Sequence, residues 1–207
     1  MGLASPAKTG GAAPRQTPLA PSLQYYRGVD AAEAPAARPR YHVLAVVVAI
    51  LGGMLGIGGA FLQELTHGGL LVAFVGAPVI EEMLKPAGVY ILLIRWPQAL
   101  RGQLYTATLC ALAGLSFGVI EAFVYVTLYV PDHPDWYAVY RFSLPLMMHS
   151  LGSFIVGLGI NRGIIDWANG TAPLPRSTRN SYIAAILLHA VFNITATALQ
   201  VAGYLDF

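Results

Sequence analysis

Glu81 and Glu82 lie side by side in a mostly apolar run, Leu70 to Ile94, and Lys85 follows one helical turn later. Other apolar stretches carry Glu121, His149, and His189 with Asn193 four residues on. These are residue types for proton transfer and for metal ligation. A carboxylate in a poorly solvated cavity can act as general base toward water, and a neighbouring histidine can share that proton and pass it to a leaving group. Two histidines with one or two glutamates are also an adequate zinc set, with one position left for water. Carrying such groups is costly. On the insertion scale each charge at the centre of a spanning helix costs about 2.5–3.5 kcal/mol, while each Leu, Ile, Val or Phe returns about 0.3–0.6 kcal/mol. Three charges in one run cost roughly 9 kcal/mol, about what its apolar remainder supplies. That burden points to function; the bland alternative is a structural ion-pair cluster between helices.

Spacing refines the set. Lys85 is i,i+4 from Glu81 and i,i+3 from Glu82, so it can reach either acid. Adjacent glutamates on a helix point about 100° apart, so one can face a site while the other pairs with Lys85 or a neighbouring helix. Phe117, Glu121 and Tyr125 form one stripe, in which Tyr125 can donate to Glu121. His189 and Asn193 share a face and can address the same ligand atom. Pro78 and Pro145 loosen their helices just before the acids and just before His149. Broken backbone at membrane depth is tolerated where it lines a cavity.

The elements that must position these groups are helices in a bilayer. Of 207 residues, 56% are hydrophobic and 11% charged, against about 45–50% and about 25% in soluble domains. A net charge of +2 gives no reason to expect nucleic-acid binding, and the single cysteine, Cys110, excludes an internal disulfide or a CxxC pair. Five apolar segments, roughly 41–62, 70–94, 104–130, 140–160 and 181–204, read as transmembrane helices. The fold expected is an all-α polytopic membrane helix bundle, with a transmembrane catalytic domain over 41–207. Gly52/Gly56, Gly114/Gly118 and Ser153/Gly157 are small-xxx-small spacings, read as helix contact faces.

Residues 1–40 hold six of the 14 prolines and five basic residues, and read as a disordered cytoplasmic tail. That tail and the loops near 95–103 and 161–180 carry ten of the 12 basic residues. The positive-inside rule therefore puts the N-terminus in the cytoplasm and the C-terminus outside, with Arg141 at the edge of an outer loop. Glu64 reads as solvated and His67 as an interface residue without a role. On this topology Glu82, Glu121, His149 and His189 fall within one or two helical turns of the midplane. Four helices thus bring ionisable groups to one depth, and one shared site is expected.

The ordered pattern Glu81-Glu82-x-x-Lys85, Phe117-x-x-x-Glu121, His149 and His189-x-x-x-Asn193 resembles the PrsW family of intramembrane proteases. That family is distantly similar to the CAAX prenyl proteases and bacteriocin-processing enzymes, whose second motif usually ends in His where this chain has Glu121. The resemblance covers roughly residues 70–200. It implies hydrolysis of a peptide bond in a membrane-anchored protein within the bacterial plasma membrane, releasing an anti-sigma-factor-like regulator cut on its outer side. It implies Glu81 or Glu82 as base, Glu121 and His149 as partners, and His189 with Asn193 stabilising the oxyanion, supported by Lys85, Phe117 and Tyr125. No metal is required on this reading. Three alternatives use the same residues: a zinc protease with Glu82, Glu121, His149 and His189 as ligands, a proton- or ion-coupled transporter, and a haem protein with His149 and His189 as axial ligands.

Overall fold

Every regular element among the described residues is helical, as the long apolar runs require of a chain whose backbone must satisfy itself away from water. The structure is a computed structural model and describes residues 39–66 and 69–205. The expected tail, all but its last two residues, lies outside them, as does His67. Four helical stretches are long and apolar enough to cross a membrane: Tyr41–Leu62, Gln103–Tyr129, Asp135–Gly159 and Arg176–Val201. Many of their outward side chains are large and apolar, Leu55, Leu71, Val139 and Val201 among them. Such a surface suits lipid. The protein is an integral membrane protein.

Helix α1 spans Pro39–Thr66. The segment expected as the second span is not one helix. It begins as a π turn, Val72–Gly76, in which Ala77 N–H reaches back five residues to Val72 O. It continues as α2, Ala77–Leu84, and ends as α3, Ala87–Arg95. The break falls at Lys85–Pro86, because Pro86 has no N–H to give the Glu82 carbonyl and so cannot continue the helix. Pro78 sits in the first turn of α2, where a missing N–H costs nothing. The interruption next to the acids is therefore after them as well as before.

Helix α4, Gln103–Val124, continues into a second π turn, Tyr125–Tyr129. Two helices, α5 (Asp135–Arg141) and α6 (Leu144–Gly159), share the next span, with Pro145 in the first turn of α6. Short α7, Gly163–Ala168, occupies part of the expected loop 161–180, and α8 runs Arg176–Val201. Helix α4 packs mainly on α6 and α1, and α8 mainly on α6.

The small residues make these approaches possible. A Cβ on Gly52 would run into the backbone of Gly88, and one on Gly114 would collide with the His149 carbonyl and with Ser153. Gly157 faces Ala107 and Cys110 in the same way. The free end of α6 is satisfied from neighbouring elements: Gln103 Nε2 donates to Gly157 O (2.7 Å), and Thr178 Oγ1 donates to Gly159 O (2.7 Å). One apolar core gathers Ala45, Ala49, Val89, Leu92, Leu109, Cys110 and Val156. It fills the half of the bundle nearest the start of α1. The other half holds the ionisable groups.

Candidate active site

Helix α2 brings Glu81 and Glu82, the α2–α3 break brings Lys85, and α4, α6 and α8 bring Glu121, His149 and His189. All but Glu121 are buried, Glu82 and Lys85 completely. The convergence expected from depth alone is therefore realised in one cluster. Lys85 Nζ lies at its centre, donating to Glu82 Oε1 (2.7 Å) and to His149 Nδ1 (2.8 Å), with Glu81 Oε2 at 3.3 Å. Its ammonium also rests 4.7 Å from the centroid of the Phe117 ring, a cation–π contact that gives Phe117 its supporting place.

Each histidine is held by a carboxylate on one nitrogen. His149 Nε2–H donates to Glu121 Oε2 (2.7 Å), and His189 Nδ1–H donates to Glu82 Oε1 (3.0 Å). These partners fix the tautomers, leaving Nδ1 of His149 and Nε2 of His189 with lone pairs. Both lone pairs meet Glu81 Oε2, at 3.9 Å and 3.8 Å. The two imidazoles cross edge to face, 5.2 Å apart.

Glu81, His149 and His189 thus offer three ligand atoms lying within 4.8 Å of one another. Glu81 Oε2 is buried and accepts no hydrogen bond despite the nearby ammonium. An oxygen left so, facing two nitrogen lone pairs, suits a cation. The net charge agrees: three carboxylates against Lys85 and Arg141 leave one negative charge with neutral imidazoles. The donors fit zinc, and each imidazole carries the carboxylate partner usual behind a ligating histidine.

This set differs from the ligands expected on spacing. Glu81 replaces Glu82 and Glu121, because those two acids are spent on the far nitrogens of the histidines. A helical offset of about 100° between neighbours sends Glu82 toward α8 while Glu81 faces the lone pairs.

Two other expected residues have different work. The Tyr125 ring lies 3.7 Å under the guanidinium of Arg141. Asn193 Nδ2 donates to Ala73 O (3.0 Å), inside the first π turn, so its amide braces broken backbone. Spacing with His189 had suggested a shared ligand atom.

Arg141 itself was missed. Its Nη2 lies 3.0 Å from Glu121 Oε2, which also receives the bond from His149. The signal was present in the charge pattern, where Arg141 is the basic residue stranded on the wrong side.

A cleft enclosing about 290 Å³ reaches the cluster between α1 and the C-terminal end of α4. Its walls include Ile57, Ala60, Phe61, Val124, Tyr125 and Tyr129, and Glu81, Phe117 and Glu121 also line it. Water and substrate therefore have a route to two of the acids.

Residues 40–206 match the PrsW family of intramembrane metalloproteases. No curated protein and no solved structure matches the chain.

Proposed function

We propose that this chain, which belongs to the PrsW family of intramembrane metalloproteases, uses zinc held by Glu81, His149 and His189 to cut a membrane-anchored protein. Intramembrane peptidase activity comes with the family. The zinc ligands, the proton route and the substrate are our reading. The observation that carries it is the unbonded Glu81 Oε2, which meets one lone pair from each histidine.

Zinc bound there would polarise the scissile carbonyl and make water a better nucleophile at neutral pH. The chain's own residues do the rest. Glu121 and Glu82 hold the imidazoles in the orientation that converges their lone pairs. Glu121 shares the cleft with Glu81, so its carboxylate takes the proton of the attacking water. It returns that proton to the amide nitrogen as the C–N bond breaks. Lys85 balances Glu82, Arg141 anchors Glu121, and Asn193 keeps the π turn in place.

The cleft opens at the C-terminal ends of α1 and α4, which the positive-inside rule assigns to the outside. That supports cleavage on the outer side of a bacterial plasma membrane, with an anti-sigma-factor-like regulator as substrate.

Chelation tests the reading. Protein stripped by 1,10-phenanthroline should lose proteolysis and recover it with zinc, and His149→Ala and His189→Ala should lose both zinc and activity. A metal-free mechanism has one observation in its favour: Lys85 Nζ sits 2.7–3.3 Å from both acids and His149 and can serve as the cation, with Glu81 as base. Full activity in zinc-depleted protein would select that mechanism and overturn ours.

A further inference from the structure

We propose that the cleft between α1 and the π-turned end of α4 receives one large apolar side chain of the substrate, next to the bond that is cut. The inference rests on the proteolytic reading and adds the substrate's chemical class.

Position comes first. Glu81 belongs both to the three-atom ligand cluster and to the cleft wall, so a side chain in the cleft lies beside the reacting bond. Size comes second. About 290 Å³ is at the bottom of the range of about 300–1,000 Å³ for small-molecule pockets. That space takes a side chain and excludes a folded helix, so the substrate must be unwound there. Chemistry comes third. Phe61 and Tyr129 stack face to face across the cleft, 6.4 Å apart and 11° from parallel, and Ile57 and Val124 add aliphatic wall. The acids at the floor would repel an Asp or Glu side chain. Their charge is already met from within the protein, Glu81 by Lys85 and Glu121 by Arg141, so a substrate Lys gains little there.

Local backbone supports the same place. Tyr125–Tyr129 is a π turn, closed by Val130 N–H to Tyr125 O at 2.9 Å. Such turns re-aim side chains and occur disproportionately at functional sites. Here the turn carries Tyr125 and Tyr129 to the cleft. Ala60 is the small residue opposite them, and its methyl group sets how much space remains.

The test uses the full chain, loaded with zinc in lipid nanodiscs. Synthetic single-span peptides carry benzoylphenylalanine at successive positions around the outer membrane boundary and are cross-linked by a brief flash. Cross-links should map to Ile57, Phe61, Val124 or Tyr129. Competitor peptides with Phe or Leu at the cross-linking position should displace the probe at least about tenfold better than Ala, and better than Asp or Lys. Ala60→Phe should bring the Phe-to-Ala ratio to near one while zinc content is unchanged. Should that variant fail to fold, Phe61→Ala should widen the cleft and make Trp the best competitor.

Cross-links elsewhere in the bundle would overturn the inference, as would Asp or Lys competing as well as Phe, or a wild-type order in the variants. The protease reading is judged separately, by peptide cleavage in the same nanodiscs. Correct cross-links without cleavage would leave the cleft standing, and cleavage with cross-links elsewhere would leave the protease standing.

Discussion

Glu81→Gln and Glu82→Gln should separate two neighbouring acids into different roles. Glutamine keeps shape and removes charge in both cases, so only the place of each carboxylate differs. Glu82 supports His189 Nδ1 at 3.0 Å and pairs with Lys85 at 2.7 Å, both without solvent. Carboxylates behind a ligating histidine are worth about 10–100-fold in metal affinity, or about 1.4–2.7 kcal/mol. Breaking a fully buried ion pair is also expected to destabilise the fold by about 3–5 kcal/mol. Glu82→Gln should therefore be markedly less stable, yet still bind zinc with an affinity reduced no more than about 100-fold. Glu81→Gln should do the reverse. Its Lys85 contact is longer, at 3.3 Å, and carries no hydrogen bond to Oε2, so the fold suffers less. Zinc affinity should fall beyond 100-fold, because a ligand atom itself is replaced. Zinc per protein by elemental analysis and affinity by competition with a fluorescent indicator give one axis. Unfolding free energy in mixed micelles gives the other. Normal zinc binding in Glu81→Gln together with complete loss in Glu82→Gln would refute the ligand assignment.

Three further outcomes follow from the same geometry. Arg141→Ala should lower turnover by freeing Glu121. Arg141→Lys should recover part of it, since the charge returns but the flat stack on Tyr125 does not; equal activity in both would remove Arg141 from the site. Gly114→Ala should cost about 1–3 kcal/mol and reduce activity, because the new methyl meets the His149 carbonyl and pushes α6 away; wild-type stability and rate would count against this packing. A reporter fused after Phe207 should be found outside and one placed within residues 165–178 inside, and both on one side would exclude the five-pass topology.

The depth argument was sound because it needed only the position of each polar group along an apolar run. Glu82, Glu121, His149 and His189 were therefore legible as one cluster before any geometry was known. The division of labour among them was not. Whether Glu81 or Glu82 meets the lone pairs depends on how far α2 is rotated, and that rotation is set by Pro86, by the π turn and by the Gly52–Gly88 contact. Hydropathy carries no record of such rotations. The second span read as one continuous helix for the same reason, since apolar content does not register a missing N–H. Asn193 illustrates the limit of spacing: one turn from His189, it shares the face but finds the Ala73 carbonyl first. Arg141 lay in plain view as an exception to charge asymmetry, and an exception of that kind is worth treating as a partner for a buried acid.

The partners of Glu82 are scattered along the chain in a way that bears on how the protein is made. Lys85 is adjacent, but His189 is 107 residues later, roughly 5–20 s of synthesis at about 5–20 residues/s. During that interval the nascent second segment holds two carboxylates and an ammonium that its own apolar residues barely offset. It has no later helix to shelter them. The segment must then wait at the translocon or at the bilayer surface, and settle to full depth only when α6 and α8 arrive. The catalytic groups are in this sense also the last clasp of biogenesis: a chain released before α8 would be unable to seat its second span, and so would lack activity and a stable place in the membrane together.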